Sequence, residues 1–271
     1  MTQTVLITGA STGIGRATAV EFHKRGWNVI ATMRQPEKAT GLPISDRCQC
    51  LALDVTDYDS IVTAITTAKE RFGAIDVVIN NAGYGLTGVF ENASPEQIRA
   101  QFETNVFGLM AVTRAILPHF RQRQRGIIVN VASIGGRLTF PLYSLYHSSK
   151  WAVEGFSESL QFELRPFNIK VKIIEPGPIK TDFYDRSAQK SENSVDPVYD
   201  DYSRHIQAQT DKAGAGGADA AAVAQVIYRA STDGSWRLRY STDPTGAALL
   251  FLRQILGDGW FIQFLRLLLK A

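Results

Sequence analysis

Residues 4–15 read "TVLITGASTGIG". A β-branched, apolar run from Thr4 to Thr8 stops at a loop carrying Gly9, Gly13 and Gly15. An amphipathic stretch of helix length, "GIGRATAVEFHKRG", begins inside that loop. Glycines at a strand-to-helix turn let the backbone close on a pyrophosphate, which then meets the free N–H groups of the helix N-terminus. The spacing is G-x-x-x-G-x-G and not the commoner G-x-G-x-x-G, so the loop's position carries more weight than its pattern. It joins the first strand to the first helix at the head of a longer series, and it predicts a dinucleotide site in an α/β sheet.

Working outward, apolar runs recur at "NVIATM" (Asn28 to Met33), "CLAL" (Cys50 to Leu53), "DVVIN" (Asp76 to Asn80), "GIIVNV" (Gly126 to Val131) and "KVKII" (Lys170 to Ile174), with a weaker one at "WRLRYS" (Trp236 to Ser241). They are nearly continuous, as strands covered on both faces should be. Amphipathic stretches alternate with them. The first ends on Gly26 and "DYDSIVTAITTAKERFG" ends on Gly73, each suited to the position just past a helix. "SPEQIRAQFETNVFG" opens with Ser94 as N-cap, Pro95 at the first helical position and Gln97 two residues on, a capping box. A longer helix is expected from Tyr143 to Arg165. This alternation predicts an α/β, doubly wound fold. Its sheet should have seven strands, mostly parallel, with helices on both faces and residues 1–271 forming one domain.

Two stretches break the rhythm. Residues 182–218, polar and ending in "AGAGGA", are long enough to be a substrate lid or a disordered insertion. Residues 246–271 form an apolar extension of helical period, interrupted by Arg253, Asp258, Gly259 and Arg266, with no run of the roughly 18 to 20 apolar residues that span a bilayer. Packing over a pocket or in an oligomer interface is expected of it, and peripheral contact with a membrane surface is the alternative. Charge is near balance, with 29 basic and 26 acidic residues, and the scattered basic residues argue against a nucleic-acid partner. Cys48 and Cys50 have no second pair to make a zinc spacing, and no metal site is expected. They read as thiols in a reducing compartment, and no signal-peptide pattern precedes Thr4, so a cytoplasmic location is expected.

The end of the second strand bears on the cofactor. Dinucleotide sites that read the ribose 2′-hydroxyl place an acid there, about 20 residues past the glycines. Here stand Met33 and Arg34. A guanidinium suits a 2′-phosphate, and Ser11 could add a hydroxyl donor, so NADP(H) is expected over NAD(H).

Seven motifs in sequence order then resemble the short-chain dehydrogenase/reductase superfamily in its single-domain branch. They are "TGASTGIG", "LDV" with Asp54, "NNAG" at Asn80 to Gly83, "NVFG" with Asn105, "NVASIGG" with Ser133, "YHSSK" at Tyr146 to Lys150, and "PGPIKT" at Pro176 to Thr181. The resemblance implies a Rossmann-type fold and an oxidoreductase. Tyr146 would be the acid in reduction and the base in oxidation. A phenol ordinarily titrates near 10, and the charge of Lys150 one helical turn on would favour the phenolate. Lys150 would also hold the nicotinamide ribose, Ser133 would donate to the substrate oxygen, and Asn105 would anchor a water in a proton relay. Gly9, Ser11, Thr12, Gly13, Ile14 and Gly15 would cradle the pyrophosphate. Asp54 and Val55 would face the adenine, and Asn81, Ala82 and Gly83 the adenosine ribose side, although Asn81 reads equally well as a tie between strands. Pro176, Gly177, Ile179 and Thr181 would hold the carboxamide and phosphate end.

"VIATMR", "NNAGYG" and the apolar C-terminus look like the hydroxysteroid and retinol dehydrogenase-like members, which implies an apolar carbonyl or secondary-alcohol substrate. An acyl-carrier ketoreductase and a non-catalytic nucleotide-sensing protein are the alternatives. The resemblance also implies a homo-dimer or tetramer.

Overall fold

A computed structural model describes residues 2–180, 188–190, 197–215, 217–242 and 244–269. Seven strands form the central sheet: β1 (Thr4–Ile7), β2 (Asn28–Met33), β3 (Cys48–Ala52), β4 (Val77–Asn80), β5 (Gly126–Val131), β6 (Ile169–Glu175) and β7 (Arg239–Ser241). Their order is β7-β6-β5-β4-β1-β2-β3, and every pairing is parallel, so the expected "mostly parallel" sheet is wholly so. The helices are α1 (Gly13–Lys24), α2 (Tyr58–Phe72), α3 (Pro95–Phe102), α4 (Leu109–Arg123), α5 (Ser144–Leu164), α6 (Asp200–Ala215), α7 (Ala220–Thr232) and α8 (Pro244–Leu269).

The strand period of two explains the unbroken apolar runs, since alternate side chains serve two cores. Val5, Ile7, Val29 and Ile79 face Ala19 and Phe22 of α1 and Val223 and Ile227 of α7. Leu6, Ile30, Val78 and Ile128 face Ile61 of α2, Val112 and Ile116 of α4, and Leu160 of α5. Cys48 and Cys50, two apart on β3, pack on the first of these cores as free thiols.

The expected boundaries shift where a polar group finds a better partner. Asp76 lies outside β4, because its carboxylate takes the Thr4 N–H at 2.9 Å and pairs with Arg123 at 2.7 Å. Trp236 lies outside β7, its ring covered by the Arg165 and Lys170 cations. The capping box forms as expected, with both Ser94–Gln97 bonds made, but the helix it starts ends at Phe102. Glu103–Gly108 then makes a π-helical turn leading into α4.

Two short parallel pairs lie outside the sheet, Gly85–Thr87 with Ala188–Lys190 and Ile179–Lys180 with Ala218–Asp219. The first half of α8 meets the second at Gly257, whose φ of +69° is unsuited to a helix interior. Leu250, Phe261 and Leu265 of α8 pack against Ile134 and Leu138, just past β5. Among the described residues, no helix is long and apolar enough to cross a membrane.

Candidate active site

Strand order reverses between β1 and β4, which leaves a crevice at the carboxyl ends of the strands. A cavity of about 1090 Å³ opens there. Its first wall is the glycine loop. Gly9 has φ +66°, and a Cβ on it would lie 2.8 Å from the Ala82 Cα, so only glycine lets β1 and β4 close here. The Thr8 hydroxyl accepts from the backbone N–H groups of Asn81 and Ala82, both at 3.0 Å. Asn81 Nδ2 donates to the Thr8 and Gly9 carbonyls at 3.0 Å each, so the strand-tie reading of Asn81 describes its contacts. Gly15 packs into the same knot, where a Cβ would fall 2.3 Å from the Gly9 carbonyl oxygen.

Helix α1 starts at Gly13 with no side-chain cap and no acid in its first turn. An uncapped N-terminus with glycine and isoleucine backbone on the cavity wall fits a pyrophosphate. Ser11 and Thr12 line the same edge, and Arg34 stands exposed on the rim. Among the described residues no carboxylate pairs with Arg34. Asp54 is fixed by accepting from Thr56 N–H and Oγ1 at 2.9 and 2.8 Å. Val55 packs on Gly108, where a Cβ would lie 2.7 Å from its methyl.

The opposite wall carries Ser133, Tyr146 and Lys150. Ser133 stands just past β5; its Oγ accepts from Gly135 N–H at 3.0 Å and makes only a long 3.4 Å bond to the Pro176 carbonyl. Tyr146 and Lys150 lie on one face of α5, with the ammonium 5.8 Å from the tyrosine ring centroid. Lys150 is buried and donates to the Val131 carbonyl at 2.8 Å. Burial pushes its ammonium down from 10.5 to about 8, against the pull of nearby Glu154.

Asn105 sits behind this wall, buried in the π-helical turn. Its Nδ2 donates to the Tyr84 carbonyl at 2.8 Å and to Ser149 Oγ at 3.1 Å, and its Oδ1 accepts from Tyr84 N–H. Ser149 Oγ donates to the Tyr146 carbonyl at 2.7 Å. One amide bond thus fastens α5 at the level of Tyr146, and the other holds the backbone at Tyr84.

Of the residues singled out from the sequence, Gly9, Ser11, Thr12, Gly13, Ile14, Arg34, Asp54, Val55, Asn81, Ala82 and Gly83 line the cavity, as do Ser133, Tyr146, Lys150, Pro176, Gly177 and Ile179. Gly15 and Asn105 stand one layer behind. Thr181 lies outside the described residues, as do residues 182–187, 191–196 and 216 of the expected lid. Within that region Ile206 and Gln209 of α6 do reach the cavity, and Leu249 and Leu268 of α8 close it.

One cavity residue assigned no role from the sequence has a defined place. His147 is buried, accepts from Phe140 N–H at 3.3 Å through Nδ1, stacks on Tyr143 with centroids 5.5 Å apart, and fills the space at Gly135. Burial holds its imidazole down to about 4, so it is neutral. It fixes the turn after Ser133 against the helix that carries Tyr146.

Residues 3–192 match the family model described as short chain dehydrogenase. The chain belongs to the short-chain dehydrogenase family. It is 43% identical over 236 residues to the uncharacterized oxidoreductase YusZ of Bacillus subtilis, covering 84% of each chain. It is 41% identical over 183 residues to a 3-ketodihydrosphingosine reductase of Bacteroides thetaiotaomicron, covering 68% of this chain and 66% of that one. A crystal structure of a short-chain dehydrogenase from Streptomyces avermitilis superposes with a TM-score of 0.84 at 36% identity, over 94% of this chain and 95% of that one. This short-chain dehydrogenase is accordingly an oxidoreductase that interconverts CH–OH and C=O with NAD(P).

Proposed function

We propose that the chain is an NADP(H)-dependent oxidoreductase acting on the carbonyl or secondary alcohol of an apolar substrate. One observation carries the reading: Tyr146 and a lysine with no bonded carboxylate share a cavity wall with a weakly engaged serine hydroxyl. Bound nicotinamide would supply the hydride in reduction and accept it in oxidation. The chain's own residues position and protonate. In reduction, the Tyr146 hydroxyl gives its proton to the substrate oxygen, and in oxidation the phenolate takes it back. Ser133 Oγ turns from its long bond with the Pro176 carbonyl to donate to that same oxygen. The Lys150 ammonium lowers the cost of the phenolate and presents its remaining N–H groups to the nicotinamide ribose. Asn105, through Ser149, keeps Tyr146 at the right height on the wall.

The outer cavity supports an apolar substrate. Phe140, Tyr143, Ile206, Leu249 and Leu268 line it. The relative named as a 3-ketodihydrosphingosine reductase points the same way. Arg34, exposed at the rim without an acid partner, supports NADP(H) through a charge-assisted contact with a 2′-phosphate.

The test is a panel of steroids, retinoids, long-chain ketones and small aromatic ketones, run with NADPH and with NADH. Turnover is expected on apolar members, faster with NADPH, and Tyr146→Phe should abolish it while NADPH still binds. Near-wild-type turnover by Tyr146→Phe would sink the mechanism, and preference for NADH would sink the reading of Arg34.

A further inference from the structure

Behind the cavity wall lies a buried charge cluster that the chemistry above does not use. Glu154 follows Lys150 by one turn of α5, and both side chains are buried. Gly136 presses on this pair: a Cβ there would lie 2.8 Å from Glu154 Cγ and 3.0 Å from the Lys150 carbonyl oxygen. Glu154 Oε2 accepts from Arg239 Nε at 2.9 Å. Its other oxygen, Oε1, is buried with no hydrogen-bond partner. A buried carboxylate normally has all its oxygens satisfied, so an orphan of this kind marks a group held for its charge or its proton.

The charged groups around Glu154 come from every element packed on it. Lys150 and the exposed Glu158 flank it on α5, and Glu158 also takes the Arg239 guanidinium. Arg239 comes from β7 and lies 3.8 Å from the buried Glu175 at the end of β6. Arg137, from the turn after β5, pairs with Glu175 at 3.1 Å. Arg253 of α8 donates to the Arg137 carbonyl at 2.5 Å. Burial, and then the charge of Glu175, raise the Glu154 carboxyl to about 7, while Arg239 and Arg137 oppose the rise. Its charge therefore changes near neutral pH, one turn from a lysine whose own value burial has brought to about 8.

We propose that Glu154 is a positioning residue for the chemistry at Tyr146: it is the acid that keeps the buried Lys150 as an ammonium, with Arg239 holding it in place. The proposal rests on the reading of Tyr146 and Lys150 given above. The two groups titrate as one coupled unit.

The coupling can be read without a substrate. In protein carrying labelled lysine, the Lys150 Cε and Nζ resonances are followed against pH in wild type, Glu154→Gln, Glu154→Asp and the exposed control Glu158→Gln. Removal of the carboxylate should lower the Lys150 midpoint by about one pH unit, a roughly tenfold fall in the ratio of ammonium to amine at a given pH. Glu154→Asp should restore most of it, and Glu158→Gln should leave it in place. A midpoint unmoved in a folded Glu154→Gln protein would overturn the proposal. Should Glu154→Gln not fold, labelled wild-type protein decides: shared two-step curves for Glu154 Cδ and Lys150 Cε support the coupling, and independent single steps refute it. The two readings fail separately. Turnover retained in Tyr146→Phe while the Lys150 midpoint follows Glu154 would remove the catalytic assignment and leave the coupling standing. Turnover lost in Tyr146→Phe with an unmoved midpoint would do the reverse.

Discussion

Among the described residues two lysine–tyrosine pairs stand in contact, and only one of them lines the cavity. Lys150 has its ammonium 5.8 Å from the Tyr146 ring centroid, and Lys172 lies 5.2 Å from that of Tyr240. Both lysines are buried. Lys172 reaches Ser235 O at 2.8 Å, the Tyr240 hydroxyl at 2.9 Å, Ser235 Oγ at 3.2 Å and Asp233 at 3.3 Å. Tyr240 in turn donates to Asp233 at 2.5 Å. That is a closed polar network: burial lowers Lys172, and Asp233 opposes the fall in part. Burial and the Asp233 bond together push the Tyr240 hydroxyl up, away from ionisation. Lys150 is bonded to a neutral carbonyl, and Tyr146 lines the cavity. A Lys/Tyr pair becomes acid/base machinery when no carboxylate is bonded to it and it lines a cavity, and becomes a core tie when a bonded carboxylate closes it.

Swapping hydroxyls separates the two most strongly. Tyr146→Phe should cost about 10²- to 10⁴-fold in turnover, the usual range for a proton donor, with little change in melting temperature. Tyr240→Phe should leave turnover within about twofold and cost about 1–3 kcal/mol of stability, because Asp233 and Lys172 both lose a buried partner. Lys172→Met should follow Tyr240→Phe. Loss of turnover from either core substitution, in protein that remains folded, would erase the distinction.

The pH dependence of stability gives a smaller effect on each flank. Lys150 falls from 10.5 in the unfolded chain to about 8 in the folded one, so between those values the unfolded state binds a proton that the folded state does not. Stability should therefore gain from this group as pH rises from 8 to 10.5, and below 8 its charge is carried at full cost. On the acid side, burial tends to raise Asp233, but the Tyr240 and Ser235 bonds and the Lys172 charge bring it down to about 2. Its contribution is present above its ordinary 3.8 and is lost as pH falls through 2. His147 adds to the acid side, since an imidazole brought from 6.5 to about 4 lowers stability as pH drops across that interval. Denaturant midpoints across about pH 2–10.5 in wild type and Asp233→Asn would show the acid limb weakened by the substitution and the alkaline limb intact.

Much of this was legible along the chain, for a definite reason. Strands such as Val5 to Ile7 and Val29 to Met33 serve two cores, so their apolar runs betray them locally. The glycine loop and Tyr146/Lys150 are short-range patterns set by a turn and by helical pitch. The core pair was not legible, because Lys172 and Tyr240 are 68 residues apart and meet only through the pairing of β6 with β7. The same holds for the partners of Asn105, a residue its motif named but whose amide bonds reach 21 and 44 residues away, and for the Glu154 cluster, gathered from α5, β6, β7 and the turn after β5. Leu249 and Leu268 read as apolar positions on a helix, and only the break at Gly257 and the packing on Ile134 bring α8 across the cavity. His147 sits inside a recognised motif, yet its task of holding Phe140 and Tyr143 depends on a turn no spacing rule describes.

The central claim is that Lys150 is kept charged at a cost to stability for the sake of chemistry at Tyr146. Lys150→Met keeps the length and apolar stem of the side chain and removes the charge. Its melting temperature, measured at pH 7 beside turnover of the best substrate from the panel, tests the claim most directly. The account predicts a melting temperature equal to or above wild type, with turnover reduced at least about a hundredfold. A lower melting temperature with turnover retained would contradict it.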